Sequence, residues 1–438
     1  MHARLNQTPL GRVLGCCAFE HGSRPKRKPL PQPTLTEGST MNTEKRYGNW
    51  ALIAVAMLLF GTAIATIQFK VPVVMGDIMT NMGMDAGSAS WLMSIFTFVG
   101  IILALPTGAL AKKFGPKTML LAAAAVVALG SLIGAFAGNG TVLIVSRAIE
   151  GVAFIFVTIC GPLAVQKYVA PDKIGSATGI WALWVCLGSV LGGVVTPTLY
   201  SATGFVGVWV IYAGVAVLCA VIVAVLVKFP SGGADAIETA AQAAASEEKV
   251  SYGELFKPNI LLFFVAFLVF NMTLMAVLGF APTFMQQQGV DPTLSGFIST
   301  LPMLLAVISS PLFGTLSDKM GRCKPLYLLA LVVMGPCSFI LLTQTGPLMW
   351  AGAIVMGLIG LGGPVMCLTS YINVLGRPEL MSIGMGMLML IQSLGQFLGT
   401  WLVPMLLGPD MTGWMFAGGV MCVIGLAGTA ALALCKFK

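Results

Sequence analysis

Charge is scarce in this chain. Asp, Glu, Lys and Arg together make up 9% of the residues, whereas a soluble domain is roughly a quarter charged. A soluble protein with hydrophobic core helices would need its apolar stretches to be short or amphipathic, and here they are neither. The composition therefore excludes an ordinary soluble protein and favours one embedded in lipid.

Histidine is scarce as well. Only His2 and His21 are present, and none of the ten Cys residues has a metal-ligand spacing with them. A Walker-type phosphate loop is also missing from the sequence. We therefore expect no metal site, no disulfide framework and no cofactor, and we do not expect ATP to drive the protein directly.

Hydrophobic sequence is abundant, at 57% of the residues. Twelve apolar stretches are each near the roughly 20 residues that a helix needs to cross a bilayer core. Glycine, with 52 residues, is as frequent as expected for helices that pack closely in lipid. We number the predicted spans 1 to 12 in chain order: 50–74, 90–110, 118–138, 141–165, 176–199, 205–228, 259–281, 295–316, 325–345, 347–371, 381–406 and 412–435.

The loops between the spans alternate in charge. Loops after spans 2, 4, 8 and 10 carry Lys or Arg, whereas the loops after odd-numbered spans carry neither and together contain Asp77, Asp85, Asp291 and Asp410. Because cytoplasmic loops hold the excess of Lys and Arg, we predict a multi-pass protein of the cytoplasmic (inner) membrane with both termini cytoplasmic. The net charge of +8 then reflects loops that face anionic lipid and does not indicate nucleic-acid binding.

Two segments lie outside the spans. Residues 1–46 are polar and basic, which predicts a disordered cytoplasmic tail. A second start at Met41 makes the first 40 residues either an upstream-start artefact or a basic anchor on the membrane surface. The Ala-rich, acidic linker 229–258 divides the chain into a six-helix bundle at 47–228 and another at 259–438.

The two halves repeat each other. Gly108 and Gly115 follow span 2 as Gly314 and Gly321 follow span 8, at an offset of 206 residues. Because each half holds six spans, both halves start on the same side, so the repeat is parallel about an axis along the membrane normal. The sequence predicts two pseudo-symmetric bundles around a central cavity that serves as the substrate path.

Four local motifs resemble those of the major facilitator superfamily, over about residues 50–435. They are Gly314-Thr-Leu-Ser-Asp318-Lys-Met-Gly321-Arg322, its first-half copy from Gly108 through Lys112 to Gly115, Arg147-x-x-Glu150-Gly151, and Gly188-Ser189-x-x-Gly192-Gly193. Lys112 stands where the family usually has Asp, and Ser189 stands where the family's antiporters have Pro. The resemblance implies an all-α integral membrane protein that moves a small solute by alternating access.

The two signature loops are predicted to act in gating. Their glycines permit a close backbone approach, and Asp318 can accept a hydrogen bond from Arg322 or cap a neighbouring helix. A contact made in one conformer and broken in the other would bias the equilibrium between them. Lys112 indicates that the first-half loop has lost or inverted its ionic partner, and a solvated basic turn is the alternative interpretation.

Three charged residues lie inside the predicted spans and away from the terminal residue of a span, namely Lys70, Arg147 and Glu150, with a total charge of +1. Arg147 and Glu150 are three positions apart, so they share a helix face and can pair. Either they form a structural ion pair, or Glu150 takes up and releases a proton as its surroundings change. The resemblance associates the Arg147 position with proton coupling.

Lys70 has two interpretations. It either snorkels to the outer interface or stands in the cavity, beside Gln68, as a cation that attracts an anionic substrate. Further candidate substrate ligands are buried amides, with interhelical hydrogen bonding as their competing role. These amides are Asn271, Gln392 and Gln396, whereas Gln286-Gln287-Gln288 is interpreted as a surface loop.

Together these features predict a secondary transporter of a small organic anion or carboxylate, with protons and the lipid bilayer as further partners. A drug/proton antiporter is the alternative, because of the span 5 glycines and the Met-rich interior, and a sugar transporter is third. Enzymatic activity is not expected, since no nucleophile elbow, paired carboxylates or metal cluster occurs. A sensor would need a soluble output domain, and the linker is too short to form one.

Overall fold

The computed structural model describes residues 49–170, 173–226, 256–375, 381–408 and 410–437. Every regular element within these ranges is helical. The predicted tail 1–46 and nearly all of the linker 229–258 lie outside the described residues. The all-α fold class is confirmed, whereas the predictions for the tail and the linker are not tested.

By length and composition, eleven stretches of the described residues could cross a membrane. One of them, Ile174–Val225, is 52 residues long and turns at Gly204, whose φ of 68° is a left-handed conformation that glycine adopts readily. This turn separates spans 5 and 6. The long helices of the spans are Trp50–Phe69, Ala86–Phe114, Pro116–Ala135, Gly140–Tyr168, Trp184–Leu226, Pro258–Gln287, Pro292–Met320, Lys324–Thr343, Pro347–Leu358, Gly363–Leu375, Met381–Leu407 and Trp414–Leu434.

Span 1 is interrupted near Pro72 and does not end there. Its first helix ends at Phe69, and a second helix, Met75–Met82, follows a 3-10 turn that begins at Pro72. Proline has no N–H, so the Gln68 carbonyl four residues earlier loses its helical partner. The predicted end at residue 74 is therefore wrong, and the interruption frees backbone carbonyl groups for contacts with other spans.

Span 10 is also interrupted, where a continuous helix was predicted. A 3-10 turn at Gly360–Gly362 separates its two helices. A Cβ atom at Gly362 would overlap the ring of Phe313, and one at Gly363 would lie 2.9 Å from the ring of Phe270. The glycines therefore let this span approach spans 7 and 8 closely, at the expense of helical continuity.

The described helices form two hydrophobic cores. One lies between Ile53 and Val223, and the other lies mostly between Ile260 and Cys435. The packing repeats as well: a Cβ at Gly151 would lie 2.8 Å from the carbonyl oxygen of Phe96. The equivalent contact recurs 206 positions further along the chain, where a Cβ at Gly357 would lie 2.9 Å from the Cα of Pro302. The two pseudo-symmetric bundles are thus confirmed, while the boundaries 47–228 and 259–438 stay a prediction.

Two aspartates begin equivalent helices in the two bundles. The Ser88 backbone N–H donates to Asp85 at 3.1 Å, and the Thr293 N–H donates to Asp291 at 2.9 Å. Such a side chain satisfies an N–H that has no partner inside the helix. The Ser88 hydroxyl and backbone N–H also hold the pKa of Asp85 below its usual range. The repeated aspartates therefore mark helix starts in both halves.

Candidate functional site

The three charged residues that are buried in the described part of the chain meet at one point. Lys70, Arg147 and Glu150 each have no exposed surface. The Nζ atom of Lys70 lies 2.7 Å from Oε1 of Glu150, and Nη1 of Arg147 lies 2.6 Å from Oε2. The predicted pairing of Arg147 with Glu150 is observed, and Lys70 joins it from another span.

Lys70 lies directly after the first helix of span 1 and faces the inside of its bundle. Its ammonium group is bonded to Glu150, and it lies 4.1 Å from the ring centroid of Trp209 in span 6. A snorkelling lysine would keep its charged end at the interface. The structure therefore shows Lys70 as an interior cation, paired inside the bundle.

Arg147 joins span 4 to spans 1 and 2. Its guanidinium group donates to three backbone carbonyls as well as to Glu150: Leu92 at 3.0 Å, Ile67 at 2.9 Å and Gln68 at 3.2 Å. The Gln68 carbonyl is the one that Pro72 deprives of a helical partner. Arg147 therefore completes the hydrogen bonding of the interrupted span 1, which requires the several donors of a guanidinium.

Ser131 in span 3 is a third donor to Glu150. Its hydroxyl lies 2.5 Å from Oε1 of Glu150, inside the bundle. Gly130 makes room for this contact, because a Cβ there would lie 3.0 Å from the Cγ of Glu150. Three donors match an ionised carboxylate, which only accepts hydrogen bonds. The sequence has no signal for Ser131, since the contact depends on how spans 3 and 4 pack.

The predicted amide ligands are less closely tied to the cluster. Gln68 contributes its backbone carbonyl, and its side chain is buried. Asn271 donates to the Phe267 carbonyl at 2.8 Å, which is its competing role. Gln392 and Gln396 are half-buried, and within the described residues their side chains form no hydrogen bond. No hydrogen bond joins these second-bundle amides to the charged cluster within the described ranges.

The signature-loop glycines have two different roles. Gly115 and Gly321 have φ values of 80° and 62°, so the backbone there favours glycine. A Cβ at Gly108 or Gly314 would meet nothing within 4 Å. The predicted close approach at Gly108 and Gly314 is therefore wrong for this conformation, because nothing in the described chain packs against them.

The expected ionic contact in the second signature loop is not made here. Asp318 and Arg322 are both exposed, and neither forms an ion pair with a described residue. The side chain of Lys112 lies outside the described atoms. A gating role for these residues stays a prediction, and it requires a second conformer in which the contact forms.

The bundles meet near the end that lacks basic loops. A Cβ at Gly296 would overlap the carbonyl oxygen of Gly193, so spans 5 and 8 are in backbone contact. Gln286, which was interpreted as part of a surface loop, instead ends span 7 and donates to the Val73 carbonyl at 2.9 Å. The described hydrogen bonds between the bundles join Ser94 to Thr400, Thr283 to Pro72 and Gln286 to Val73.

A pocket of about 330 Å³ lies beside this contact region, and Gln286 is part of its wall. The lining residues are Gly76, Met79, Thr80, Thr283, Gln286, Gln287, Asp410 and Met411. They come from the outer part of span 1, the end of span 7 and the segment before span 12. Because both bundles contribute to its wall, the accessibility of this pocket is expected to depend on how closely the bundles pack at this end.

Known proteins similar to this chain include a protein named as a proton symporter and one named for antibiotic resistance. Over 179 residues the chain is 31% identical to the galactose-proton symporter of Escherichia coli strain K12, covering 41% of the chain and 37% of the relative. Over 178 residues it is 30% identical to the methylenomycin A resistance protein of Bacillus subtilis strain 168, covering 40% of the chain and 37% of the relative. The chain thus matches little more than a third of the length of these relatives.

The fold is also similar to a solved structure of a bacterial homolog of the human lysosomal transporter Spinster, in an inward-facing and occupied conformation. The TM-score is 0.72 at 15% identity, covering 88% of this chain and 96% of that one. Residues 51–400 match the family model described as Major Facilitator Superfamily. Since this match covers most of the sequence, the chain belongs to the Major Facilitator Superfamily.

Proposed function

We propose that this chain is a secondary transporter that carries a small organic anion together with a proton across the cytoplasmic membrane by alternating access. The observation that carries the proposal is the ion pair between Lys70 and Glu150, which is buried within one bundle beside Arg147. Charge at membrane depth is costly and mostly functional. An interior cation and a proton-accepting carboxylate are the two groups that such coupling needs.

The charge of the cluster favours an anion. With Glu150 ionised, the buried charge is +1, and a proton on Glu150 would raise it to +2. Adding one monovalent anion returns it to +1, so proton and anion together leave the interior charge unchanged. A neutral solute bound with a proton would leave +2, which costs more in a medium of low dielectric constant.

The proton and the anion would bind to neighbouring groups, the proton to Glu150 and the anion to Lys70. In the empty state the ammonium group of Lys70 is paired with the carboxylate of Glu150 at 2.7 Å. A proton on Oε1 of Glu150 neutralises this partner and releases the ammonium for the carboxylate of the substrate. Because each ligand favours the binding of the other, the two are carried together, and this reciprocity is a coupling free energy.

The closed end of the bundles gives the direction in which the site opens in this conformer. The described hydrogen bonds between the bundles lie toward the end without basic loops, and none of the described hydrogen bonds joins the bundles at the end with the signature loops. The substrate path therefore opens toward the basic loops, which are predicted to be cytoplasmic. The gating loops would close this path in the opposite conformer.

A drug/proton antiporter is the alternative. The similarity to the methylenomycin A resistance protein favours it, because that relative is named for resistance to an antibiotic. In this scheme a lipophilic cation would replace the proton of Glu150, and the buried charge would be +2 in both loaded states. Because sugar-proton symporters are among the relatives, a neutral sugar is the third candidate substrate.

Proteoliposomes with an inward proton gradient test the proposal. We expect uptake of a labelled organic anion from a panel of lactate, succinate, citrate and gluconate, and no uptake of galactose. Collapse of the gradient by a protonophore should stop accumulation while leaving exchange across the membrane. Gradient-driven movement of tetraphenylphosphonium, with no response to any anion, would favour the antiporter instead.

A further inference from the structure

We propose that Trp209 is a positioning residue that keeps the Lys70 ammonium group charged and in place while Glu150 carries the proton. The inference rests on the proposed function and adds a residue from a third span to it. Lys70 has two partners, Oε1 of Glu150 at 2.7 Å and the ring of Trp209 at 4.1 Å from its centroid. A cation over an indole face is attracted by the ring quadrupole, most strongly when it is desolvated.

The surroundings of Trp209 indicate that its ring face is the part that is used. The indole N–H is buried and has no hydrogen-bond partner among the described residues. A buried indole that is retained for its N–H normally has a partner. The ring stacks on Phe205 at 4.2 Å between centroids, and a Cβ at Gly134 would lie 2.5 Å from its Nε1 atom. Gly134 therefore leaves a slot that holds the indole against Lys70.

The ring of Trp209 gives the ammonium group of Lys70 a second partner when Glu150 is protonated. The charged groups that face Lys70 are Glu150 and, through it, Arg147, both from span 4. Spans 3 and 6 contribute Ser131 and Trp209, which carry no charge. Without a second partner, Lys70 would give its own proton to Glu150, and the neutral pair would have taken up no proton from the water. The indole stabilises the ammonium in the protonated state, so that the proton on Glu150 is an additional one.

Infrared difference spectra of the purified full-length protein test this role without a known substrate. The C=O band of protonated Glu150 is followed as pH falls, and Glu150→Gln identifies it by its loss. We expect Trp209→Leu to raise the pH at which the band appears by roughly 0.5–1.5 units, because an ammonium that has lost its cation–π contact gives its proton to Glu150 more readily. Trp209→Phe keeps a ring face and should shift it by less than half as much.

A fluorinated series keeps the test independent of folding. Tryptophans with one, two and three ring fluorines, incorporated at position 209 alone, weaken the quadrupole with little change in size. The pH at the midpoint of the Glu150 band should rise progressively along the series. Trp181→Leu is the matched control, since it removes another buried indole of the same bundle that stacks on Trp184, and it should leave the midpoint unchanged.

Two results would count against the inference in different ways. If Glu150 titrates but the fluorinated series and Trp209→Leu have the midpoint of the wild type, Trp209 has no positioning role and the proposed function survives. If the band is absent at every pH in the wild type, Glu150 does not carry a proton, and the proposed coupling fails together with the inference.

Discussion

Lys70 and Glu150, 80 positions apart, form an ion pair of 2.7 Å between two side chains that have no exposed surface. The pair joins span 1 to span 4 inside a single bundle. Removing one partner from a buried pair typically costs about 3–5 kcal/mol, because the other charge is left uncompensated. Opening the pair therefore requires a proton on Glu150 and a new anion at Lys70, which is the core of the proposed coupling.

Glu150→Gln should abolish the response of transport to a pH gradient and preserve the exchange of labelled for unlabelled solute. The amide keeps the size of the side chain and one acceptor oxygen but cannot take up a proton. Uptake and counterflow in proteoliposomes measure the two activities separately. Asp77→Asn is the control, because it removes an exposed carboxylate near the end of the same span as Lys70. Gradient-driven accumulation by Glu150→Gln would make Glu150 a structural residue.

Lys70→Ala should raise the KM for the anion at least tenfold, which corresponds to about 1.4 kcal/mol. The proposed site loses its fixed cation, whereas Arg147 keeps Glu150 paired. Lys70→Arg should recover part of the affinity, and Lys113→Ala, an exposed cation at the end of span 2, should stay within about twofold of the wild type. Equal changes in KM for Lys70→Ala and Lys113→Ala would contradict a substrate role for Lys70.

Arg147→Lys should lower the thermal stability of the purified protein, because one ammonium cannot reach three carbonyls and Glu150 together. Two lost charge-assisted hydrogen bonds correspond to about 3–6 kcal/mol of the free energy of unfolding. Pro72→Ala restores an N–H that can bond the Gln68 carbonyl. The double variant should therefore lose less stability than the sum of the single variants.

A double-mutant cycle measures this coupling from the unfolding midpoints of the four proteins. We expect a coupling free energy of about 0.5 kcal/mol or more, as found for residues that share a partner. Strict additivity would show that Arg147 does not compensate for the missing N–H of Pro72. The interruption of span 1 would then need another explanation.

Gly296→Ala should prevent the bundles from closing at the end without basic loops. The added Cβ would overlap the backbone carbonyl of Gly193, which cannot move aside as a flexible side chain does. The readout is labelling of a cysteine at Thr283, a buried residue in the wall of the pocket beside this closure, by a membrane-impermeant thiol reagent. We expect labelling several times faster than in the parent protein.

Gly419→Ala is the matched control for that change, because a Cβ at Gly419 meets nothing within 4 Å. Both variants add one methyl group to a helix that is predicted to cross the membrane. Unchanged labelling in Gly296→Ala would show that spans 5 and 8 do not set the closure.

The local features of the sequence predict much of the fold. Hydropathy locates the spans, because each apolar stretch must satisfy its backbone within one helix. The pairing of Arg147 with Glu150 follows from helical spacing alone. The repeat is also visible locally, since Asp85 and Asp291 begin equivalent helices in the two bundles.

Contacts between spans are not predictable in the same way. Lys70 reaches Glu150 only because spans 1 and 4 pack side by side, and no spacing in the sequence indicates it. Trp209 resembles any other apolar aromatic residue until the slot at Gly134 places it against Lys70. Gln286 looks like part of a polar loop, yet the helix extends through it, so that its side chain reaches the other bundle.

The most direct test of the central claim is thermal stabilisation of the purified protein by organic anions, sugars and lipophilic cations, at acidic and neutral pH. A ligand that binds the folded state raises its apparent stability by mass action. We predict stabilisation by an organic anion that is stronger at acidic pH and lost in Lys70→Ala. Stabilisation by lipophilic cations, unaffected by Lys70→Ala, would contradict the account and favour a multidrug antiporter.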